Sequence, residues 1–223
     1  MDNNRKIKDL LYEQVARIGK ALSSPKRLEL IELLSQGEKA VDRIAREAEI
    51  SVKLASAHLR ELKLAHLVET RREGKHVFYR LADERVADFW GVLHGLAENR
   101  LVELRAVLSE IALAPEKLVP SKREALMKAA RNGEVIVLDV RPLEEYNAGH
   151  LPFARSIPLG ELRQRVDELA PDRPVVAYCR GPFCLMARDA VMWLRGQGYH
   201  AAQLTDGVVE WRLGQAQDQR AVD

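Results

Sequence analysis

The chain has few thiols and few rings: two cysteines in 223 residues, and 5% aromatic residues. Two cysteines cannot staple a disulfide-built scaffold or supply a four-cysteine zinc site within one chain. No stretch approaches the ~20 consecutive apolar residues that span a bilayer. The N-terminal MDNNRKIKDLLYEQ also lacks the uninterrupted apolar core of a secretory signal. Neither charge sign dominates, with 35 Lys and Arg against 33 Asp and Glu and a net charge of +2, so no global polycation is implied. These absences lead to the expectation of a cytoplasmic protein with reduced thiols and no membrane partner. What is present, 47% hydrophobic and 30% charged residues, is a globular balance. The length suits one large domain or two small ones. No internal repeat or low-complexity segment stands out.

Two periodicities divide the chain. Residues 5–115 are mostly helical in pattern, with one strand pair. From about Val135 onward, short β-branched runs alternate with helical stretches. Between them, Pro115 and Pro120 interrupt any helix and favour extended backbone. The expected organisation is a domain over 1–114, a linker over 115–120 and a second domain over 121–223. Charge is uneven within the first part: residues 51–80 hold seven Lys and Arg against three Glu, with His58, His66 and His76 besides.

In the N-terminal part, Leu10, Leu11, Val15, Ile18 and Leu22 mark a first helix. Ser24-Pro25 reads as an N-cap followed by proline at the first helical position. Leu28, Ile31, Leu33 and Leu34 form that helix's apolar face, and Gly37 ends it. A short helix is expected over Ala40 to Ala48. Ser51 can cap the next helix, with Leu54, Ala55, Leu59 and Leu62 facing inward. The period then changes: Leu67 to Leu81 reads as two strands around a glycine turn at Gly74. Beyond it, Val86, Phe89, Trp90, Leu93, Ala97, Leu101, Leu104, Leu108 and Ile111 form a stripe on one long helix. The stripe is too long for one small core and reads as a coiled-coil-like seam.

Three helices followed by a basic hairpin make a winged helix-turn-helix plan, in which a helix reads the major groove and the hairpin lies along phosphates or enters the minor groove. SSPKRLELIELL and EISVKLASAHLRELKLAHLVETRREGKHVFYRL resemble the ArsR/SmtB family of winged-helix transcriptional repressors over about residues 7–110. The resemblance implies a homodimer bound to double-stranded operator DNA. It places Ser56 and His58 on the reading helix, and Arg71, Arg72, Gly74 and Lys75 on the wing. Ser51, Lys53, Arg60 and Lys63 complete the candidate DNA-binding set, as groups able to meet phosphates or bases. Val52, Lys53 and Leu54 depart from the Gln-Pro-Thr-like run of many members, so base preference does not carry over. Many relatives sense metals, but Glu38 to Ile44 contains no cysteine. Asp88, His94 and Glu98 lack a second histidine, and a packing or surface role suits them better. No metal or cofactor is expected.

In the C-terminal part, Ser121 to Glu124 is a capping box opening a helix that ends near Asn132-Gly133. Strands are expected at Val135–Val140, Ala154–Pro158, Val175–Tyr178 and Ala202–Leu204, with a helix from Leu185 to Arg195. Alternation of this kind implies an α/β fold with a mostly parallel sheet and chemistry at the strand C-terminal ends. Cys179 stands at such an end, opening the run Cys179-Arg180-Gly181-Pro182-Phe183-Cys184 ahead of a helix. Loop N–H groups, a helix N-terminus and the charge of Arg180 would each favour a thiolate and an anionic donor.

LDVRPLEEYNAGHLPFARSIPL, VVAYCRGPFC and LTDGVVEWRLGQ resemble the rhodanese family of sulfurtransferases over about residues 118–215. That resemblance implies a Cys179 persulfide formed from thiosulfate or polysulfide, with Arg180 and Cys184 in the catalytic loop and Gly181, Pro182 and Phe183 binding the substrate anion. It makes Asp139 and Arg141 structural supports, and Glu145 and His150 structural rather than catalytic. Leu185 stands where a Cys-x5-Arg phosphatase needs arginine, which disfavours phosphatase chemistry. Cys184 is readable as a small buried residue at a helix start, as a resolving thiol or, less well, as half of a metal or arsenic site. Two functions follow. One is a dimeric DNA-binding regulator, a repressor by resemblance, whose second domain senses sulfane sulfur or redox state through Cys179. The other is a sulfurtransferase that uses the winged helix for localisation or dimerisation.

Overall fold

A computed structural model describes residues 2–113 and 123–220. The chain divides into two compact units, Met1–Trp90 and Gly91–Asp223. The expected linker at 115–120 and the first half of the capping box at Ser121 lie outside the described residues.

The first unit runs α1 (Asp2–Leu22), α2 (Pro25–Ser35), β1 (Lys39–Ala40), α3 (Val41–Glu47), α4 (Val52–Leu64), β2 (Val68–Glu73), β3 (His76–Leu81) and the start of α5 (Glu84–Arg100). Leu30, Ile31, Leu33 and Leu34 of α2, Ile44 and Ala45 of α3, and Ala55, Leu59 and Leu62 of α4 are buried. Each helix therefore buries one stripe and leaves its other face to solvent. Leu54, expected to face inward, is 44% exposed, because the buried stripe of α4 follows Ala55, Leu59 and Leu62. Ser24 precedes α2 in extended conformation, but its side chain makes no capping hydrogen bond. Ser51 does cap: its Oγ accepts from the Leu54 N–H at 3.2 Å. β2 and β3 pair antiparallel from Val68↔Leu81 to Glu73↔His76, joined by Gly74 and Lys75. β1 adds a third, short strand to β3.

The apolar stripe after the wing does not lie on one continuous helix. Leu101 is extended (φ −102, ψ 111) and separates α5 from α6 (Val102–Ile111). The helical ladder still reaches its N–H, which donates to the Ala97 carbonyl at 2.8 Å. Ile7, Leu10, Leu11, Tyr12 and Val15 leave an exposed apolar face on α1, and Phe89, Val92 and Leu96 leave one on α5.

The second unit continues with α7 (Arg123–Arg131), β4 (Ile136–Asp139), α8 (Leu143–Ala148), β5 (Arg155–Ser156), α9 (Leu162–Arg165), β6 (Val175–Tyr178), α10 (Met186–Gly196), β7 (Ala201–Gln203) and α11 (Val208–Arg220). The four strands form a parallel sheet in the order β5-β4-β6-β7. Strand parity divides its core between two faces. Ile136, Leu138, Val175 and Ala177 pack with Ala187, Ala190, Val191 and Leu194. Val137, Val176 and Tyr178 pack with Leu126, Leu151 and Trp211. A sheet covered on both faces needs continuous rather than alternating apolar strands, as Val175-Val176-Ala177-Tyr178 supplies. Beyond β6 the same alternation sends Cys179 into the first face, opposite to Tyr178.

Candidate functional site

On the first unit, Lys53 and Arg60 are exposed one above the other on α4, while Ser56 and His58 are half-buried beside the inward stripe. The Ser51 hydroxyl is engaged in the cap described above. Lys63 donates from Nζ to Thr70 Oγ1 at 2.6 Å, bridging the end of α4 to the wing. Arg72 and Lys75 are exposed toward the wing tip. Arg71 is braced: its guanidinium meets Glu38 at 2.7 Å and Glu73 at 2.6 Å. It also lies 4.6 Å from the centre of the Phe78 ring. The hydrogen bonds to Glu38 and Glu73 hold its pKa above the usual arginine range. His66 follows α4 with a φ of 56 and is exposed, its N–H donating to the Lys63 carbonyl at 3.0 Å. It therefore terminates the helix.

On the second unit, Cys179 is 2% exposed and Cys184 half-buried, and both are free thiols. The Cys179 thiol donates to the Cys184 carbonyl at 3.2 Å. The protonation of each thiol bears on that of the other. The backbone N–H groups of Gly181 and Ala187 favour the Cys179 thiolate, and those of Arg180 and Met186 the Cys184 thiolate. The pair therefore releases its first proton easily, because the remaining S–H donates to the thiolate. This is expressed as a Cys184 pKa pulled down to about 6 against the resistance of burial. The second proton, on Cys179, is held well above the ordinary thiol value by the neighbouring Cys184 thiolate and by burial. The titration belongs to the pair rather than to either sulfur alone.

Arg180 does not present an unshared charge to the loop. Its guanidinium grips the buried Glu145 carboxylate at 2.6 and 3.0 Å. Glu145 comes from the first turns of α8, so the bidentate pair ties the loop to that helix. Asp139 and Arg141 form a second buried pair, with Nη2 to Oδ2 at 2.6 Å and Nε to Oδ1 at 3.0 Å. Arg141 also donates to the Gly149 carbonyl at 2.7 Å. The Tyr178 hydroxyl donates to Asp139 Oδ2 at 2.6 Å and accepts from the Leu151 N–H at 3.1 Å. Burial and the Asp139 carboxylate push the Tyr178 phenol up, so it stays a donor. This network locks the ends of β4 and β6, immediately before Cys179.

Two glycines shape the loop. Gly181 has a φ of 144, and a Cβ there would stand 3.0 Å from a Glu210 carboxylate oxygen. At Gly207, a Cβ would stand 2.4 Å from the Arg180 carbonyl oxygen. Only glycine permits this approach of the β7–α11 turn to the loop. Glu210 Oε2 accepts from the Gly207 N–H at 2.9 Å, and Oε1 lies 2.9 Å from His94 Nε2. The His94 ring in turn is 5.6 Å from Phe183, tilted at 59°. Pro182 lines a neighbouring cavity. Tyr178, Gly207 and Glu210 do not figure in the sequence-based set. Tyr178 had a local signal, since its parity opposes that of Cys179. Glu210 is 116 residues from its partner His94 and had none.

Among the described residues no group of three or more His, Cys, Asp and Glu side chains is placed to hold a metal ion. Also among them, no helix is long and apolar enough to cross a membrane.

A winged helix-turn-helix joined to a parallel α/β unit with a cysteine loop defines a DNA-binding regulator with a thiol-bearing second domain. Residues 24–70 match the bacterial regulatory proteins of the arsR family, and residues 122–213 the rhodanese-like domain. The HTH-type transcriptional regulator Rv0324 of Mycobacterium tuberculosis is 44% identical over 206 residues, 92% of this chain and 90% of that protein. The chain belongs to the ArsR-family DNA-binding transcriptional regulators that carry a rhodanese-like domain. A tRNA sulfurtransferase of Desulfurococcus amylolyticus is 30% identical over 141 residues, 62% of this chain but 27% of that protein. Among solved structures, the homodimeric winged helix-turn-helix DNA-binding domain Mb0332 of Mycobacterium bovis is 44% identical. It covers 43% of this chain and 89% of its own, at a TM-score of 0.41.

Proposed function

We infer that the protein is a dimeric repressor whose operator affinity responds to sulfane sulfur or thiol oxidation at the Cys179–Cys184 pair. The observation that carries this reading is the pairing itself: two free thiols at the ends of one six-residue loop, the Cys179 thiol donating to the Cys184 carbonyl, on a chain of a DNA-binding regulator family. As the Cys179 sulfur attacks a sulfane sulfur, the Cys184 thiolate takes the Cys179 proton, the donor's bond to that sulfur breaks, and a persulfide forms. With thiosulfate the leaving group is sulfite. Attack by the Cys184 thiolate on the inner sulfur then expels hydrosulfide and leaves a Cys179–Cys184 disulfide, the sulfane sulfur having served as oxidant. The exposed apolar faces of α1 and α5 support a homodimer, since a second copy would cover them. Ser51, Lys53, Ser56, His58, Arg60, Lys63, Arg71, Arg72 and Lys75 form the proposed DNA face. A hundredfold change in operator affinity requires a coupling of about 2.7 kcal/mol.

The test is an operator titration with and without polysulfide on wild type, Cys179→Ser and Cys184→Ser, with mass spectrometry of the loop peptide. Sulfuration of Cys179 together with a change in affinity that Cys179→Ser lacks supports the reading. Equal operator affinity for reduced and persulfidated wild type overturns it. The similarity to a sulfurtransferase favours a second reading, in which turnover is the function. Sustained conversion of thiosulfate by wild type, lost in Cys179→Ser and without effect on DNA binding, would select it.

A further inference from the structure

Within the second unit, α5, α6, Pro182 of the cysteine loop, the end of β7 and the start of α11 border an open cavity of about 760 Å³. That volume falls within the roughly 300–1,000 Å³ of small-molecule sites. Pro182 stands in its wall, so the segment joining Cys179 to Cys184 bounds the space. Several charged groups of the lining are satisfied by the protein. Glu210 meets His94 and the Gly207 N–H, and Asp206 meets Arg123 at 2.8 Å. Glu98 and Arg105 are different: they line the same cavity from successive helices, and neither side chain has an ion-pair or hydrogen-bond partner among the described residues. The cavity thus offers one carboxylate and one guanidinium, beside a reactive loop, to a ligand carrying the opposite pair. Both residues fall between the segments matched by the two family models, residues 24–70 and 122–213.

We propose that the cavity holds the carrier portion of an amino-acid or short-peptide persulfide, its ammonium group on Glu98 and its carboxylate on Arg105. The proposal rests on the sulfur reading of Cys179. Thiosulfate fits poorly: it is a small dianion, and Glu98, Asp206 and Glu210 all contribute carboxylates to the wall. A planar guanidinium matches a ligand carboxylate in bidentate geometry. In the transfer step the Cys184 thiolate takes the Cys179 proton as the Cys179 sulfur attacks the terminal sulfur of the bound persulfide. A new S–S bond forms on Cys179, the carrier's S–S bond breaks, and the carrier leaves as a thiolate that takes a proton from solvent. No electron acceptor is needed.

Binding and chemistry are separable by probe. Reduced glutathione has the required ammonium and carboxylates but no sulfane sulfur, so calorimetric titration of the reduced full-length protein measures recognition alone. Wild type and Cys179→Ser should both bind it, and Glu98→Gln and Arg105→Gln should each bind at least tenfold more weakly, with melting curves confirming that the variants fold. With glutathione persulfide as donor, the rate of Cys179 sulfuration relative to that with inorganic polysulfide should fall tenfold or more in each variant, through KM. The proposal is overturned if wild type binds no glutathione, or if both variants bind it as wild type does. If polysulfide still sulfurates Cys179 in that case, the sulfur reading survives. If glutathione binds through Glu98 and Arg105 but no donor ever sulfurates Cys179, the sulfur reading fails and the donor assignment falls with it.

Discussion

His94 Nε2 and Glu210 Oε1 lie 2.9 Å apart across 116 residues of sequence, both nearly buried. Glu210 packs under Gly181 and His94 against Phe183, so the pair holds the cysteine loop from below. Replacing Glu210 by Ala removes a hydrogen-bond partner of a buried imidazole and the acceptor for the Gly207 N–H. The expected cost is about 1–3 kcal/mol of stability, visible in chemical denaturation. Alkylation of Cys179 should also accelerate as the loop loosens. A variant with wild-type stability and wild-type alkylation would show that the pair does not hold the loop.

The Asp139–Arg141 pair has side chains at most 1% exposed. Asp139→Ala leaves a buried guanidinium without its carboxylate and the Tyr178 hydroxyl without its acceptor. Removing one partner of such a pair typically costs about 3–5 kcal/mol. Denaturation followed by tryptophan fluorescence should show the loss.

Thiol reactivity should depend on pH in a way that reflects the shared proton. With the first ionisation drawn down to about 6, thiolate is present above that pH and lost as pH falls through it. The rate of single alkylation of the loop should therefore rise through about 6 and be flat at neutral pH. In Cys179→Ala the donor is gone, and the inflection should move up toward that of an ordinary thiol. An unchanged inflection would mean that the two sulfurs do not share the proton.

Gly207→Ala should disturb the loop without disturbing the sheet. The added methyl cannot coexist with the Arg180 carbonyl at 2.4 Å, so the loop backbone must shift. Far-ultraviolet circular dichroism should stay near wild type while sulfuration of Cys179 by polysulfide falls at least tenfold.

On the proposed DNA face, Arg72 and Lys75 are exposed at the wing. Changing either to Ala should lower the slope of log affinity against log salt by about 0.9 if each neutralises one phosphate. Arg71→Ala should do more than lower the slope, because Arg71 also ties the wing to Glu38 and stacks on Phe78. An unchanged slope in all three variants would place the operator elsewhere on the molecule.

The fold was legible because its signals are local. Gly74 between two β-branched runs marks the wing, and uninterrupted apolar strands mark a sheet covered on both faces. Three local readings failed for physical reasons. Leu54 is apolar but lies off the buried stripe of α4. Ser24 stands at the N-cap position without its side chain turning to cap. Leu101 breaks a helix with neither proline nor glycine to announce it, and beyond α6 the Leu113 N–H reaches the Gln203 side chain at 3.4 Å. The six loop residues were identifiable by position, but their partners were not. By position Arg180 suggests a charge for an anionic donor, whereas it is taken up by Glu145, 35 residues away. Contacts such as that one and His94–Glu210 arise only when distant elements pack.

The close fit of Gly207 behind Arg180 makes the loop mechanically one-sided. The β7–α11 turn is a backstop with no slack, so a sulfur atom added at Cys179, or a covalent bond drawn between the two cysteines, cannot be absorbed by retreat in that direction. Whatever movement modification causes must run the other way. A chemical event at one buried atom thereby acquires a direction before any other part of the chain responds.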